Sequence, residues 1–203
     1  MEGDAKLDNR LFILILQHPR EQKESTATAA LAAAMLRRAR LAVGLSWPNL
    51  GRALGAAAGP SPDPRRWAVL HLGSVRPRRF GLEREVVAID RLGQPVPDQH
   101  VMLRGLDGAV LLDGSWSEAK ALWWRNPWLL KLRRLVLDPQ RPSDFNRIRR
   151  EPRREALSTI EAAALLLARI ENRPELEAAL KSALDRLVAE ARTRPSGQRS
   201  GAL

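Results

Sequence analysis

The 203-residue sequence contains no cysteine. That absence excludes disulfides, thiol chemistry and cysteine-ligated zinc. Histidine is scarce too: there are three, His18, His71 and His100, far apart and without ligand-like spacing. Nothing therefore points to a metal site, and no metal is expected. Long apolar runs are also missing. The stretch LFILIL, residues 11–16, is too short to span a bilayer. It follows mixed charge rather than the basic segment of a signal peptide. A cytoplasmic chain with no membrane partner is the default expectation.

Acidic residues are the minority charge. Lys plus Arg total 34 against 23 Asp plus Glu, a formal charge of +11. The excess is concentrated. Residues 120–154 hold eleven basic side chains against three acids (Asp138, Asp144, Glu151), a local net of +8. Such a block is the electrostatic footprint of a nucleic-acid partner. A solvated, arginine-rich surface gives the same count, so charge alone does not choose between them.

The apolar patterning alternates between strand-length and helix-length segments. Residues 11–16 read as a strand covered on both faces. Residues 25–43 read as an Ala-rich helix with Leu31, Met35 and Leu41 inward, and with Arg37, Arg38 and Arg40 at the end where cations suit the helix dipole. A short strand and turn follow around residues 41–48. Residues 51–65, rich in Gly, Ala and Pro, read as a loop. Strands are expected at 67–72, 86–89 (amphipathic), 110–112 and 136–137, and helices at 159–170 and 175–191. The last helix either packs on the domain or forms a dimer contact, so the oligomeric state stays open. The tail from Arg192 is polar and expected to fray. This alternation predicts an α/β fold with a mostly parallel sheet and helices on both faces.

Tryptophan is rare, with six in the chain, yet four fall within residues 116–128. They follow a specific junction. Val110-Leu111-Leu112 ends a strand, Asp113-Gly114 turns, and Ser115-Trp116-Ser117-Glu118 has capping-box spacing, with the helix stopping before Asn126-Pro127. Asp113 thus falls at the carboxyl end of a strand and the mouth of a helix, where open α/β sheets bind ligands. Free N–H groups at a helix start can hold a carboxylate or hydroxyls. Leu157-Ser158-Thr159-Ile160-Glu161 repeats the S-x-x-E pattern before a second apolar helix. Plain capping explains either motif alone; two mouths facing one crevice would explain both.

These residues resemble a known family. Asp113-Gly114-Ser115-Trp116 is similar to the D-x-T/S-W signature of DTW-domain proteins, and Asn126-Pro127-Trp128-Leu129 fits the N-P-W-L segment that follows it. LSTIEA, residues 157–162, resembles the second family signature. Gln17-His18-Pro19-Arg20-Glu21 resembles the H-P-x-E element, with Thr28-Ala29-Ala30-Leu31 as its helix start. The likeness covers about residues 11–172. It implies a SPOUT-like catalytic domain over residues 1–172 with a C-terminal trefoil knot, then a helix and flexible tail over 173–203. The activity it implies is transfer of the 3-amino-3-carboxypropyl group of S-adenosylmethionine to N3 of a uridine in tRNA, leaving methylthioadenosine; a related branch acts on rRNA. Two departures stand out. Many members carry an N-terminal cysteine cluster, and this sequence has none, so any zinc role in docking tRNA is lost or replaced. His71-Leu72-Gly73-Ser74 also stands where the family has a Tyr-Pro-Gly-like turn.

By that resemblance, Asp113 and Trp116 are the catalytic candidates. Leu112, Gly114, Ser115, Leu157, Ser158, Thr159 and Glu161 are the candidates for holding S-adenosylmethionine. Asp113 can accept the N3 proton or anchor the ammonium of the transferred group. Positioning is preferred, because an ordinary aspartate is a weak base. Trp116 can stack on a base or brace the turn; Trp123 and Trp124 cannot both face inward on one helix. His18 and Glu21 are assigned to holding the loop. Arg125, Lys131, Arg133, Arg134, Arg147, Arg149 and Arg150 are the candidate phosphate contacts, with Arg141, Arg153 and Arg154 in the same block. The partner expected is tRNA, not DNA. The rival readings are a SPOUT-like RNA methyltransferase and a non-catalytic RNA-binding relative.

Overall fold

The computed structural model describes residues 6–23, 28–57, 62–70, 84–138 and 157–193. Six strands are formed among them: β1 (Phe12–Gln17), β2 (Ala39–Val43), β3 (Trp67–Leu70), β4 (Val86–Ile89), β5 (Gly108–Asp113) and β6 (Arg133–Leu137). The helices are α1 (Thr28–Met35), α2 (Leu50–Leu54), α3 (Gln99–Arg104), α4 (Trp116–Arg125), α5 (Thr159–Glu171) and α6 (Pro174–Thr193). The strands make one sheet in the order β2-β1-β5-β3-β6-β4. All neighbours pair in parallel except β4, which runs antiparallel to β6 at the edge.

The sheet is covered on both faces, as the uninterrupted apolar run of β1 requires. Ile13 and Ile15 point into a cluster with Ala29 and Ala32 of α1, Leu103 of α3, Leu166 and Leu167 of α5 and Leu180 and Leu184 of α6. Phe12, Leu14 and Leu16 point the other way, against Leu50 and Leu54 of α2, Leu122 of α4 and Trp128-Leu129 beyond it. This is the period-two alternation of a strand buried on both sides. The C-terminal helix α6 therefore packs on the domain, with Leu176, Leu180, Leu184 and Val188 inside the first cluster.

Helix α5 is tied at both ends. At its start Ser158 and Glu161 close the capping box that the spacing predicts. At its end the Glu171 carboxylate accepts from the backbone amides of Arg10 (3.0 Å) and Leu11 (2.9 Å), just before β1.

Three readings of the sequence are corrected. The helix expected over 25–43 ends at Met35, and residues 39–43 form β2; residues 24–27 lie outside the described ones. The cause is tertiary pairing. Leu36 bridges to Leu7. The Asn9 side chain both accepts from the Arg38 amide and donates to the Arg38 carbonyl, 3.0 Å each, drawing the chain into an extended path. Alanine-rich helix propensity loses to that pairing. Arg37, Arg38 and Arg40 consequently cap no helix, and Leu31 and Met35 are only half-buried, while Ala29 and Ala32 line the core. Second, the loop expected over 51–65 contains α2, whose start is capped by Asn49 accepting from the Arg52 amide at 2.9 Å; residues 58–61 lie outside the described ones. Third, β4 is not amphipathic, because all four of its residues are buried. α3 carried no sequence signal. The expected strand at 67–72 is formed over 67–70, and His71–Ser74, the segment expected on the knot side, lie outside the described residues, as do residues 139–156 and the tail from 194.

Candidate active site

The connections of β1 and β5 diverge. β1 leads through α1 to β2 on one side; β5 leads through α4 to β6 on the other. α1 and α4 consequently lie on opposite faces. Right-handed crossovers in opposite directions leave a crevice at the carboxyl ends of the two adjacent strands, and ligands bind there. β1 and β5 end level with each other, with Gln17 opposite Asp113.

Asp113 is buried, at 8 % exposure. Its Oδ2 accepts from Gln17 Nε2 at 2.8 Å, and its Oδ1 accepts from the Thr159 hydroxyl at the first turn of α5. Strand β5 and helix α5 thus meet at this carboxylate, and the two S-x-x-E turns converge on it. A carboxylate at a helix start also meets the favourable end of the peptide dipoles. Its oxygens offer about four lone-pair sites, so two donors leave capacity for a third partner.

The turn after β5 is shaped by Gly114, whose φ of +151° is a conformation that side chains rarely adopt. A Cβ there would sit 2.9 Å from Glu118 Cβ and 3.4 Å from His18 Cβ. The Glu118 carboxylate accepts from the Ser115 amide and hydroxyl, both at 2.8 Å, and its other oxygen lies 3.5 Å from His18 Nδ1. Partial burial pushes the Glu118 carboxyl up. The Ser115 hydrogen bonds, then the His18 and Arg20 charges, more than offset this and hold it below its ordinary value. The His18 amide donates to the Asp113 carbonyl at 3.0 Å, fixing the loop after β1 to the turn after β5. On the α5 side the Glu161 carboxylate accepts from the Ser158 amide (2.8 Å) and hydroxyl (2.6 Å). Leu112 and Leu157 are half-buried at the ends of these turns.

The four tryptophans divide. Trp128 is buried, and its Nε1 donates to the Trp47 carbonyl (2.9 Å) and to Asn126 Oδ1 (3.2 Å). Asn126, wholly buried, accepts from the Trp47 amide and donates to the Leu122 carbonyl, 2.8 Å each, and to the Leu45 carbonyl at 3.1 Å. The N-P-W-L segment is therefore a clasp between the end of α4 and the loop after β2. Trp123 is half-buried under the Arg134 guanidinium, 5.9 Å from its ring centre. Trp116 and Trp124 are exposed, at 46 % and 73 %.

Arg133 and Arg134 of β6 lie away from the aspartate. Arg133 pairs level with Ala68, which pairs with Ala109, four residues before Asp113. That is about 13 Å down the strand. Arg125, Lys131 and Arg133 are exposed; Arg134 is half-buried. Arg141, Arg147, Arg149, Arg150, Arg153 and Arg154 lie outside the described residues. Among the described residues no cluster of three or more His, Asp or Glu could hold a metal ion, and no helix is long and apolar enough to cross a membrane.

Gln17 carries a role that sequence reasoning did not assign. The available signal was a polar residue ending an otherwise apolar strand.

The DTW domain model matches residues 5–192. The chain belongs to the DTW-domain family. It is also similar to the tRNA-uridine aminocarboxypropyltransferase 2 of Drosophila melanogaster, 33 % identical over 170 residues, which are 83 % of this chain. The chain spans 59 % of the length of that relative. No solved structure matches. The Asp113-to-Trp116 turn, which resembles the DTW signature, lies within the matched residues, at the carboxyl end of β5.

Proposed function

We propose that this DTW-domain protein transfers the 3-amino-3-carboxypropyl group of S-adenosylmethionine to N3 of a uridine in tRNA. In that reaction the N3–Cγ bond forms, the Cγ–sulfonium bond breaks, methylthioadenosine leaves neutral, and the N3 proton passes to a base or to water. One observation carries the reading: Asp113 and Thr159, from the two signature turns, are in contact at the switch point. The likeness to a curated tRNA-uridine aminocarboxypropyltransferase supports the same substrate class.

The donor set fits a zwitterionic sulfonium nucleotide. Asp113, oriented by Gln17 and Thr159, is suited to an ammonium group. The N-terminal turns of α4 and α5, with Ser115 and Ser158 as caps, suit a carboxylate or ribose hydroxyls. In this reading Asp113 positions the donor, because its two fixed hydrogen bonds set its direction. Leu112, Gly114, Leu157 and Glu161 shape the same mouth, and Trp116 stacks on a base. Arg125, Lys131 and Arg133 bind phosphates with the basic residues of 139–156. A SPOUT-like knot and a cytoplasmic location go with this reading.

The test is incubation of the purified chain with S-adenosylmethionine and unmodified tRNA, followed by mass spectrometry of nucleosides and small products. Aminocarboxypropyl-uridine with methylthioadenosine is expected. S-adenosylhomocysteine with a methylated base would replace the reading with a methyltransferase. Absence of S-adenosylmethionine binding in calorimetry would leave an RNA-binding protein only.

A further inference from the structure

Helix α4 leaves the candidate site carrying a regular outer strip. Ala119 and Leu122 are its buried positions. Opposite them, Trp116, Lys120 and Trp124 follow one another at intervals of four, and all three are exposed. Residues four apart are neighbours on a helix surface, so the strip reads aromatic, cation, aromatic. Arg125 is exposed at its far end. Two large aromatic surfaces in water need an explanation, since an exposed tryptophan forgoes the gain of burial. The core does not require them. Trp128 and Trp123 from the same segment are taken up by packing, while Trp124 stays 73 % exposed.

We infer that this strip is a track for single-stranded RNA, on which Trp124 stacks a base a few nucleotides from the one being modified and Lys120 meets the phosphate between. The inference rests on the RNA-modifying reading above and extends it to the outer face of α4. Spacing supports it. Eight residues of helix separate Trp116 from Trp124, a rise of about 12 Å. That is roughly three to four nucleotides at a stacked spacing of about 3.4 Å. Charge supports it as well: the cation lies between the two rings, Arg125 beyond them, in a chain of net charge +11. Alternating aromatic and basic side chains are how proteins bind single strands, because every base has a stacking face and every phosphate a charge. The strip also begins at the right place, one turn from Asp113, so a base leaving Trp116 toward the aspartate would have its neighbours on α4.

The test measures binding of a fluorescein-labelled oligouridylate and of unmodified tRNA to the full chain, alongside the transfer assay. Trp124→Ala should weaken RNA binding about ten-fold or more. Trp124→Phe should restore most of it, and Lys120→Ala should weaken it while flattening its salt dependence. Leu92→Ala, at an 85 % exposed apolar residue on another turn, should change nothing. S-adenosylmethionine binding should be the same in all four. Wild-type RNA affinity in Trp124→Ala overturns the track even if transfer is observed. A wild-type chain without RNA affinity overturns it too. So does a finding that Trp124→Ala acts by dissociating a dimer, since the strip would then be a protein interface. Trp124-dependent RNA binding without any transfer keeps the track and sinks the proposed reaction.

Discussion

The Asp113 carboxylate accepts the hydroxyl of Thr159, a residue 46 positions later in the chain. This one bond joins the end of β5 to the start of α5 and brings the two signature turns to one place. Because Gln17 holds the other oxygen, the carboxylate is set between β1 and α5. A group with both oxygens fixed can aim a third partner without reorganising.

Asp113→Asn is expected to fold and to lose transfer at least about 100-fold, since small misplacements cost rate steeply. Thr159→Val removes only one of the two supports and should cost about ten-fold to a hundred-fold, in line with a lost hydrogen bond to a charged group. Thr159→Ser should recover most of that. Thermal melts of the three variants within a few degrees of wild type would show that geometry, not folding, is measured. Full turnover in Asp113→Asn would remove the aspartate from the mechanism.

Gly114→Ala should destabilise the chain by about 1–3 kcal/mol, the usual cost of a residue forced into a sparsely populated backbone region. Space is short as well as conformation, for the new Cβ would meet Glu118 Cβ at 2.9 Å. The turn must move, and S-adenosylmethionine affinity should fall with it. Urea denaturation reads the first effect and calorimetry the second. A variant as stable as wild type would show that the turn has another conformation at hand.

Asp113, Ser115, Ser158 and Glu161 were legible in the sequence because helix capping has a fixed local spacing. Gln17 was not, because its partner lies 96 residues away and is defined only when β1 and β5 pair in register. The same limit explains the misread helix over 25–43. Its alanines favour helix locally, while Asn9 and Leu7, which convert residues 36–38 to an extended path, act from outside the window. β1 was readable from the apolar run over residues 11–16 alone, since a strand covered on both faces needs no alternation. α3 is short and has no apolar stripe to announce it. The division of the tryptophans was legible only as a constraint: Trp123 and Trp124 cannot share a face, but which one is exposed depends on where Arg134 falls in the sheet.

Asn126→Ala should destabilise by about 2–4 kcal/mol, because it strands buried backbone groups rather than merely deleting a contact. The side chain serves the Trp47 amide and the Leu45 and Leu122 carbonyls at once. Trp128→Phe keeps the ring volume in part and loses the Nε1 donor to Trp47, so it should cost less, about 1–2 kcal/mol. Chemical denaturation followed by the remaining tryptophans separates the two. Equal stability of Asn126→Ala and wild type would mean that the clasp does not hold the end of α4.

Glu118 gives the chain a defined acid response. Its carboxyl titrates below the ordinary 4.5, since the Ser115 hydrogen bonds and the His18 and Arg20 charges outweigh partial burial. A carboxyl depressed in the folded state stabilises that state above the unfolded value, and the contribution disappears as pH falls through the folded value. Wild type should therefore exceed Glu118→Gln in stability at pH 7, keep that margin down to about pH 4.5, and lose it progressively below. Denaturation of both proteins from pH 7 to pH 3 reads the difference directly. A margin that grew on acidification would reverse the sign and place the carboxyl in an environment that disfavours its charge. A margin constant with pH would mean that glutamine replaces the capping bonds to Ser115 without regard to charge.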